Sequence, residues 1–396
     1  MKAPAHIPAD RVRDVNIYAL PGQEEDFHAA WKVLQDNSPE LIWSPQNEGH
    51  WIAMRGDVLA EVMSDHERFS SSVIVLPKSV GEQHKLIPST TDPPEHRPYR
   101  LLLNAQLAPS AIRGLQDHLR STAAELIDGF VSKGRCDFTA EFAEVFPIRI
   151  FMGIVGLPMS DAPKIKLWAE SMTRPEPVMP LAEARQAFFD HAGPIIAARR
   201  AEPGDDLISY IVTADMNGRQ MNDEEALLLV TQVLIAGVDT VVNFLSFVLL
   251  YLARDAEARR SLAANPDAIP SAVHELFRRF GLVVIARVVR SDITYRGVSL
   301  KAGDMVCTPT QVHGLDEAIN PDPMRVNFAR SRARHSAFGS GPHMCPGQEL
   351  ARAEVAITIQ EWLKRIPDFR VAADADTNIS GGVVAQVNRL VLEWDS

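Results

Sequence analysis

The chain has 396 residues, 46% of them hydrophobic, so it can bury a large core, and no tract of biased composition points to disorder. A formal net charge of −11 argues against general nucleic-acid binding, which needs a basic face, so any basic surface must be local. The three cysteines, Cys136, Cys307 and Cys345, are odd in number and far apart, which excludes a disulfide framework and fits a reducing compartment; Cys136 and Cys307 read as structural.

The N-terminal run MKAPAHIPADRVRDVNIY has neither a signal-peptide core nor an anchor helix, so a cytoplasmic protein off the membrane is expected. A short helical segment around Glu24 to Gln35 precedes two strand-like runs, LIWSP and HWIAMR, whose connecting turn residues predict a hairpin, and a helix follows from Asp57 to Ser64. Residues Val73 to Thr91 carry few helical signals and several Pro, Gly and polar positions, as a loop over a pocket would. In DPPEHRPYR the Pro pair opens a helix on which His96 and Arg100, four apart, share a face; the pair makes either a solvated basic face or a carboxylate site.

From Pro109 to Pro203 apolar residues at three- and four-residue spacing predict helix after helix, broken at Gly134, Pro158 and PEPVMP. A tight turn, DMNGRQM, then leads into one long helix from about Asp223 to Arg254, apolar nearly all round and therefore buried. Gln232, Asp239, Thr240 and Asn243 interrupt it, which argues against a membrane span. Gly237 and the Thr240 hydroxyl can disturb the backbone ladder and open a groove, and a mid-helix Asp239 is costly unless paired or functional.

HELFRRF places Glu275 and Arg278 on one face, three apart, where they can pair. Strand-like VVIARVVR, ITYRGVSL and DMVCTPT follow, with Arg287 amid apolar neighbours. Next comes FGSGPHMCPG, in which Cys345 sits just ahead of a helix-forming run. The positive helix end and the glycines favour a thiolate with room for a flat partner. The remainder reads as a strand, a loop and a hairpin with Val383 and Val384 at its turn. No linker divides the chain, so a single domain, 1–396, is expected, with a β-rich lobe from 40–56, 283–310 and 369–394 and a helical lobe from 94–280 and 346–366.

The pattern Phe-x-x-Gly-x-x-x-Cys-x-Gly, filled by Phe338, Gly341, Cys345 and Gly347, resembles the haem-thiolate signature of the cytochromes P450. The whole chain, with FPIRIFM, DTVVNFLSF, TDPPEHR and EWLKRIPDF, is similar to the soluble bacterial camphor-hydroxylating branch of that family. The resemblance implies a mainly α fold with a minor β region, enclosing one haem b. It also implies a monomeric monooxygenase that uses dioxygen and electrons from a [2Fe-2S] ferredoxin fed by an NADH-dependent ferredoxin reductase.

Carried over residue by residue, the resemblance makes Cys345 the metal ligand, with Phe338 and Gly341 in its loop. It turns His96, Arg100, Arg287 and His343 toward the haem propionates and puts Asp239 and Thr240 at the dioxygen site. Lys166 and Arg174 would tie down Asp239, and Arg325 would join Glu275 and Arg278 in a structural cluster. A basic face of Arg97, Arg100, Arg332, Arg334 and Arg352 would receive the ferredoxin.

The pocket departs from the relative. His84 stands in place of a tyrosine that anchors the camphor ketone, Val75 and Leu86 in place of phenylalanines, and Gln232 in place of a leucine. Ile235, Val283, Val383 and Val384 complete an apolar lining. The expected substrate is a small apolar terpenoid such as an ionone-like norisoprenoid ketone, with His84 either donating to it or turned to solvent. Camphor is the alternative substrate, and a haem-thiolate sensor without turnover is the alternative class.

Overall fold

The computed structural model describes residues 3–174, 177–216 and 218–395. Pro175 and Glu176 of the PEPVMP break and Asn217 of the DMNGRQM turn lie outside them.

β1 (Leu41–Ser44) and β2 (His50–Ala53) form the expected hairpin, with Leu41 opposite Ala53 and Ser44 opposite His50. Its turn takes three successive left-handed residues, Asn47, Glu48 and Gly49. Every residue of both strands is buried, so this hairpin is covered on both faces and lacks an alternating pattern. β3 (Phe69–Ser70), β4 (Val284–Val289) and β5 (Met305–Pro309) complete a sheet of order β1-β2-β5-β4-β3, in which only β2 and β5 run parallel. The sheet fixes the loop that follows β3, because Ala286 N donates to Ile74 O at 2.9 Å beside Arg287. That loop contains a short helix, Lys78–Gly81, which the sequence had not signalled.

The expected single helix from Asp223 to Arg254 is two helices, Asp223–Ala236 and Thr240–Arg254. The first begins in a capping box, Asn222 accepting from Glu225 N while Glu225 accepts from Asn222 N. The break follows from Gly237, where an added Cβ would lie 2.3 Å from the Phe151 ring, so glycine lets the helix Phe146–Val155 press into the gap. The stretch is apolar enough to cross a membrane, but 78% of its most apolar window is buried inside the protein, as befits a core helix.

Behind the break lies the helix Gln348–Arg365, whose Trp362 stands among Phe130, Phe138, Phe142, Phe369 and Trp394 with ring centroids 5.2–6.1 Å away. These contacts anchor the helix that the cysteine loop feeds. The helix Ile269–Arg279 contributes Arg278, fully buried, which grips Glu275 through Nε and Nη2 at 2.8 Å each and donates to the carbonyls of Gly314, Pro323 and Arg325. The third ionic member of this cluster is Arg330, whose Nε lies 3.0 Å from Glu275; Arg325, expected in that place, supplies only its carbonyl. The C-terminal hairpin, Ile379–Ser380 with Gln386–Val387, docks on the start of β4: Val284 N donates to Val383 O at 2.8 Å and Val384 bridges Val283.

Candidate active site

The loop before the helix Gln348–Arg365 is closed by its own backbone, Cys345 N donating to Phe338 O at 2.7 Å. Phe338 is wedged between the Phe277 ring, centroid 4.5 Å away, and the Arg352 guanidinium, 4.8 Å from its centroid. Gly341 has φ 70°, and a Cβ there would sit 2.5 Å from Ser64 Cα. Its glycine is therefore required by packing against the helix Gly56–Ser64, a reason the sequence did not show.

Cys345 is half-buried. Burial pushes its thiol up, outweighing the Gly347 N–H and the Arg100 and Arg352 guanidiniums that pull it down. The helix end thus does not by itself hold a thiolate, whereas a bound metal cation would.

On one side of this loop the structure gathers His96, Arg100, Arg287 and His343. The His96 and His343 rings are 4.2 Å apart between centroids. Burial, then Arg287, His96 and Arg100, drive His343 down to about 2; burial and Arg100 take His96 to about 4. Burial lowers Arg287 to about 10, opposed only by Asp92. His96 Nε2, His343 Nε2 and Arg287 Nε are buried without a partner. The one carboxylate that acts on this cluster, Asp92, is already taken up by Ser70, Ser71 N and Arg290, so such a crowd of donors is unfavourable alone, and a group bearing two carboxylates would satisfy it. The residues present therefore fit haem b.

On the other side lies the helix break. Asp239 is buried, and Arg174 Nη2 reaches its Oδ1 at 2.6 Å while Arg174 Nη1 donates to Val384 O at 3.0 Å. Asn243, one turn on, donates from Nδ2 to Asp239 O at 2.9 Å and to Oδ1 at 2.8 Å. The break is thus closed by Asn243, whose role the sequence signalled only as a polar interruption four residues after the acid. Asp239 Oδ2 is buried with no partner, and burial raises the carboxyl pKa against Arg174 and Asn243.

Lys166, expected to hold Asp239, instead pairs with Glu144 at 2.6 Å and Glu170 at 3.7 Å. Glu144, Lys166, Glu170, Arg174 and Asp239 line a cavity of about 180 Å³, large enough for a short file of waters. Neither Glu144, in a turn, nor Glu170, on a helix, was singled out in the sequence, where a single acid carries no signal.

Gln232, Ala236 and Thr240, on either side of the break, are half-buried, exposed and half-buried, although most of their neighbours are buried. Val75, Leu86, Ile235 and Val384 are buried and Val283 and Val383 half-buried, and the hydrogen bonds of Ala286, Val284 and Arg174 converge their segments on Asp239. His84 is 5% exposed, so it does not turn to solvent, and its Nδ1 has no partner. Burial, then Arg185, lowers its pKa to about 4, so the ring is neutral at pH 7.

The cytochrome P450 family model matches residues 174–269 and 267–379. A probable cytochrome P450 127A1 of Sinorhizobium fredii is 32% identical, covering 99% of this chain and 96% of that one. Among solved structures, CYP101J2 matches with TM-score 0.93 and 45% identity, and CYP101C1 with 0.92 and 38%, each over 100% of both chains. With a family match over more than half its length and relatives spanning all of it, the chain belongs to the cytochrome P450 family, as a haem b monooxygenase of the CYP101 type.

Proposed function

We propose that this monooxygenase hydroxylates a small apolar terpenoid ketone, of the ionone-like norisoprenoid kind, with electrons from a [2Fe-2S] ferredoxin and its NADH-dependent reductase. Cys345 would hold the haem iron, and His96, Arg100, Arg287 and His343 its propionates. Bound there, haem b supplies reductive activation of dioxygen, and a thiolate ligand favours O–O cleavage over reversible binding.

The chain's own part is proton delivery and positioning. When Arg174 lets go of Oδ1, Asp239 can take a proton from the cavity at Glu170 and pass it toward the Thr240 hydroxyl. The apolar lining from Val75, Leu86, Ile235, Val283, Val383 and Val384 excludes water and, with Gln232, sets which C–H bond is presented.

The observation that carries the substrate reading is His84: a buried, neutral imidazole with an unpartnered ring nitrogen offers an N–H to a carbonyl oxygen. Turnover with NADH, ferredoxin and reductase over a panel of terpenoid ketones, with product identification, tests the activity. Ligand titration tests the anchor. β-Ionone should give a fuller low-spin to high-spin shift and tighter binding than camphor, and tighter camphor binding would overturn the reading. Discrimination of about tenfold is expected, because small apolar misfits are worth about 1–3 kcal/mol.

A further inference from the structure

A second, open pocket of about 450 Å³ shares no residue with the active site, although its Arg332 and Arg334 belong to the basic face expected to receive the ferredoxin. Arg332, Arg334, His313 and His335 line it. Its one carboxylate, Asp57, is already engaged by Arg296 at 3.1 Å. Neighbouring Asp316 is also occupied, accepting from Gly56 N at 2.8 Å and Ala318 N at 3.1 Å. Neither Arg332 nor Arg334 forms an ion pair with any described residue, although the chain as a whole is acidic. His335 Nδ1 accepts from Ala337 N at 3.2 Å, which in the neutral ring places the proton on Nε2 as a free donor. The rest of the lining, Ala60, Ile319 and Ala333, is apolar.

We infer that this cavity binds an organic oxyanion, a phosphate or carboxylate group carried on a small apolar body. Arg332 and Arg334, both exposed at this open pocket, carry guanidiniums without an ion-pair partner among the described residues, which suit a forked bond to such a group, and the volume leaves room for more than a bare oxyanion.

The cavity is also wired to the cysteine loop. His313 Nδ1 is 2.8 Å from Ser336 Oγ, which is 2.9 Å from Ser340 Oγ, while Gly339 N donates to Ser336 O at 2.8 Å. An oxyanion drawn to the exposed edge of His313 therefore polarises a hydrogen-bond chain that ends inside Phe338–Gly347. The inference rests on the haem-thiolate reading only for this coupling; the binding itself does not depend on it.

The test is calorimetric titration of the purified holoenzyme with inorganic phosphate and with phenyl phosphate at fixed ionic strength in chloride, followed by absorption spectra of the ferric Soret band. Saturable one-to-one binding is expected, tighter for phenyl phosphate, weakened about tenfold or more in Arg334→Gln and Arg332→Gln, and unchanged in Arg97→Gln. A small Soret shift should saturate with the same dissociation constant. Absence of saturable binding, or an equal loss in Arg97→Gln, overturns the site in favour of a diffuse field. If phosphate fails to bind while Arg334→Gln slows reduction by ferredoxin, the cavity is a socket for the protein partner's carboxylates and the small-anion assignment fails. A holoenzyme lacking a thiolate-type spectrum would instead count against the haem-thiolate reading and leave the phosphate isotherm to be judged alone.

Discussion

Two buried ion pairs in this molecule, Glu275 with Arg278 and Asp239 with Arg174, have the same chemistry and opposite finish. Around Arg278 every group is answered: the guanidinium meets both Glu275 oxygens and three carbonyls, and Glu275 also receives Asn327 N at 2.9 Å and Arg330. Around Asp239 one oxygen is answered and the other is left bare, beside a cavity that reaches further ionisable groups. Full satisfaction suits a part that must hold one arrangement, since a buried charge is tolerable only when its partners are fixed. A half-satisfied carboxyl with a raised pKa suits a part that must change protonation.

The strongest way to break this comparison is Arg278→Ala. It leaves buried Glu275 with only Arg330 and Asn327 N, takes from Pro323 O its donor and leaves Gly314 O and Arg325 O with only longer bonds from Asn320 and Arg330, so a stability loss of about 3–5 kcal/mol is expected in chemical denaturation, with loss of haem on purification. Arg330→Ala should be milder, about 1–3 kcal/mol, because Glu275 keeps Arg278. Equal and small losses in both variants would mean that the cluster is not the fixed element proposed.

At the other pair, stability should barely move and catalysis should. Asp239→Asn keeps the volume but removes the exchangeable proton, so turnover should fall about a hundredfold at unchanged substrate affinity and normal haem content. Thr240→Ala should leave binding nearly intact and divert NADH consumption into peroxide. Unchanged rate in the first variant together with unchanged coupling in the second would remove the proton-relay assignment. An intermediate case sharpens the contrast: Asn243→Leu removes the clasp across the break, and should both loosen the helix junction and alter the pH dependence of turnover.

The sequence made much of this legible where the signal is local. The β1–β2 hairpin was marked by its turn residues, the helix start at Asp223 by the DMNGRQM turn before it, and the Phe338–Gly347 loop by its glycine and cysteine spacing. What depended on how distant segments come together was not legible. Arg330 rather than Arg325 meets Glu275 because the loop after Pro321 turns back on itself, with Arg330 donating to Pro321 O and Asp322 O, and nothing in the spacing tells one arginine from the other. Lys166 was assigned to Asp239 by position in a related fold, but Glu144, in the turn before the helix Phe146–Val155, captures it. The packing that also forbids a side chain at Gly341 was not legible because the helix concerned, Gly56–Ser64, lies far away in sequence.

The smallest expected effect concerns His84, a residue of the expected substrate pocket whose finish resembles that of Asp239 without a charge. His84 is buried and neutral, its pKa lowered from 6.5 to about 4 by burial and then by Arg185. In the unfolded chain the same ring titrates at its ordinary value, so between pH 4 and 6.5 the unfolded state binds the extra proton. The contribution of His84 to stability is therefore complete above pH 6.5 and is lost as the pH falls toward 4. His84→Phe removes that term, so the stability difference between wild type and variant should shift across this window and stay flat above it, as urea denaturation at a series of pH values would show. The same variant should weaken β-ionone binding about tenfold at pH 7, the worth of one buried hydrogen bond, while leaving an apolar terpene hydrocarbon unaffected. A flat stability difference would mean that the ring is not sealed from solvent in the folded state, and an unchanged ionone affinity would take His84 out of substrate recognition, leaving half-buried Gln232, whose Oε1 has no partner, as the polar pocket residue to hold the carbonyl.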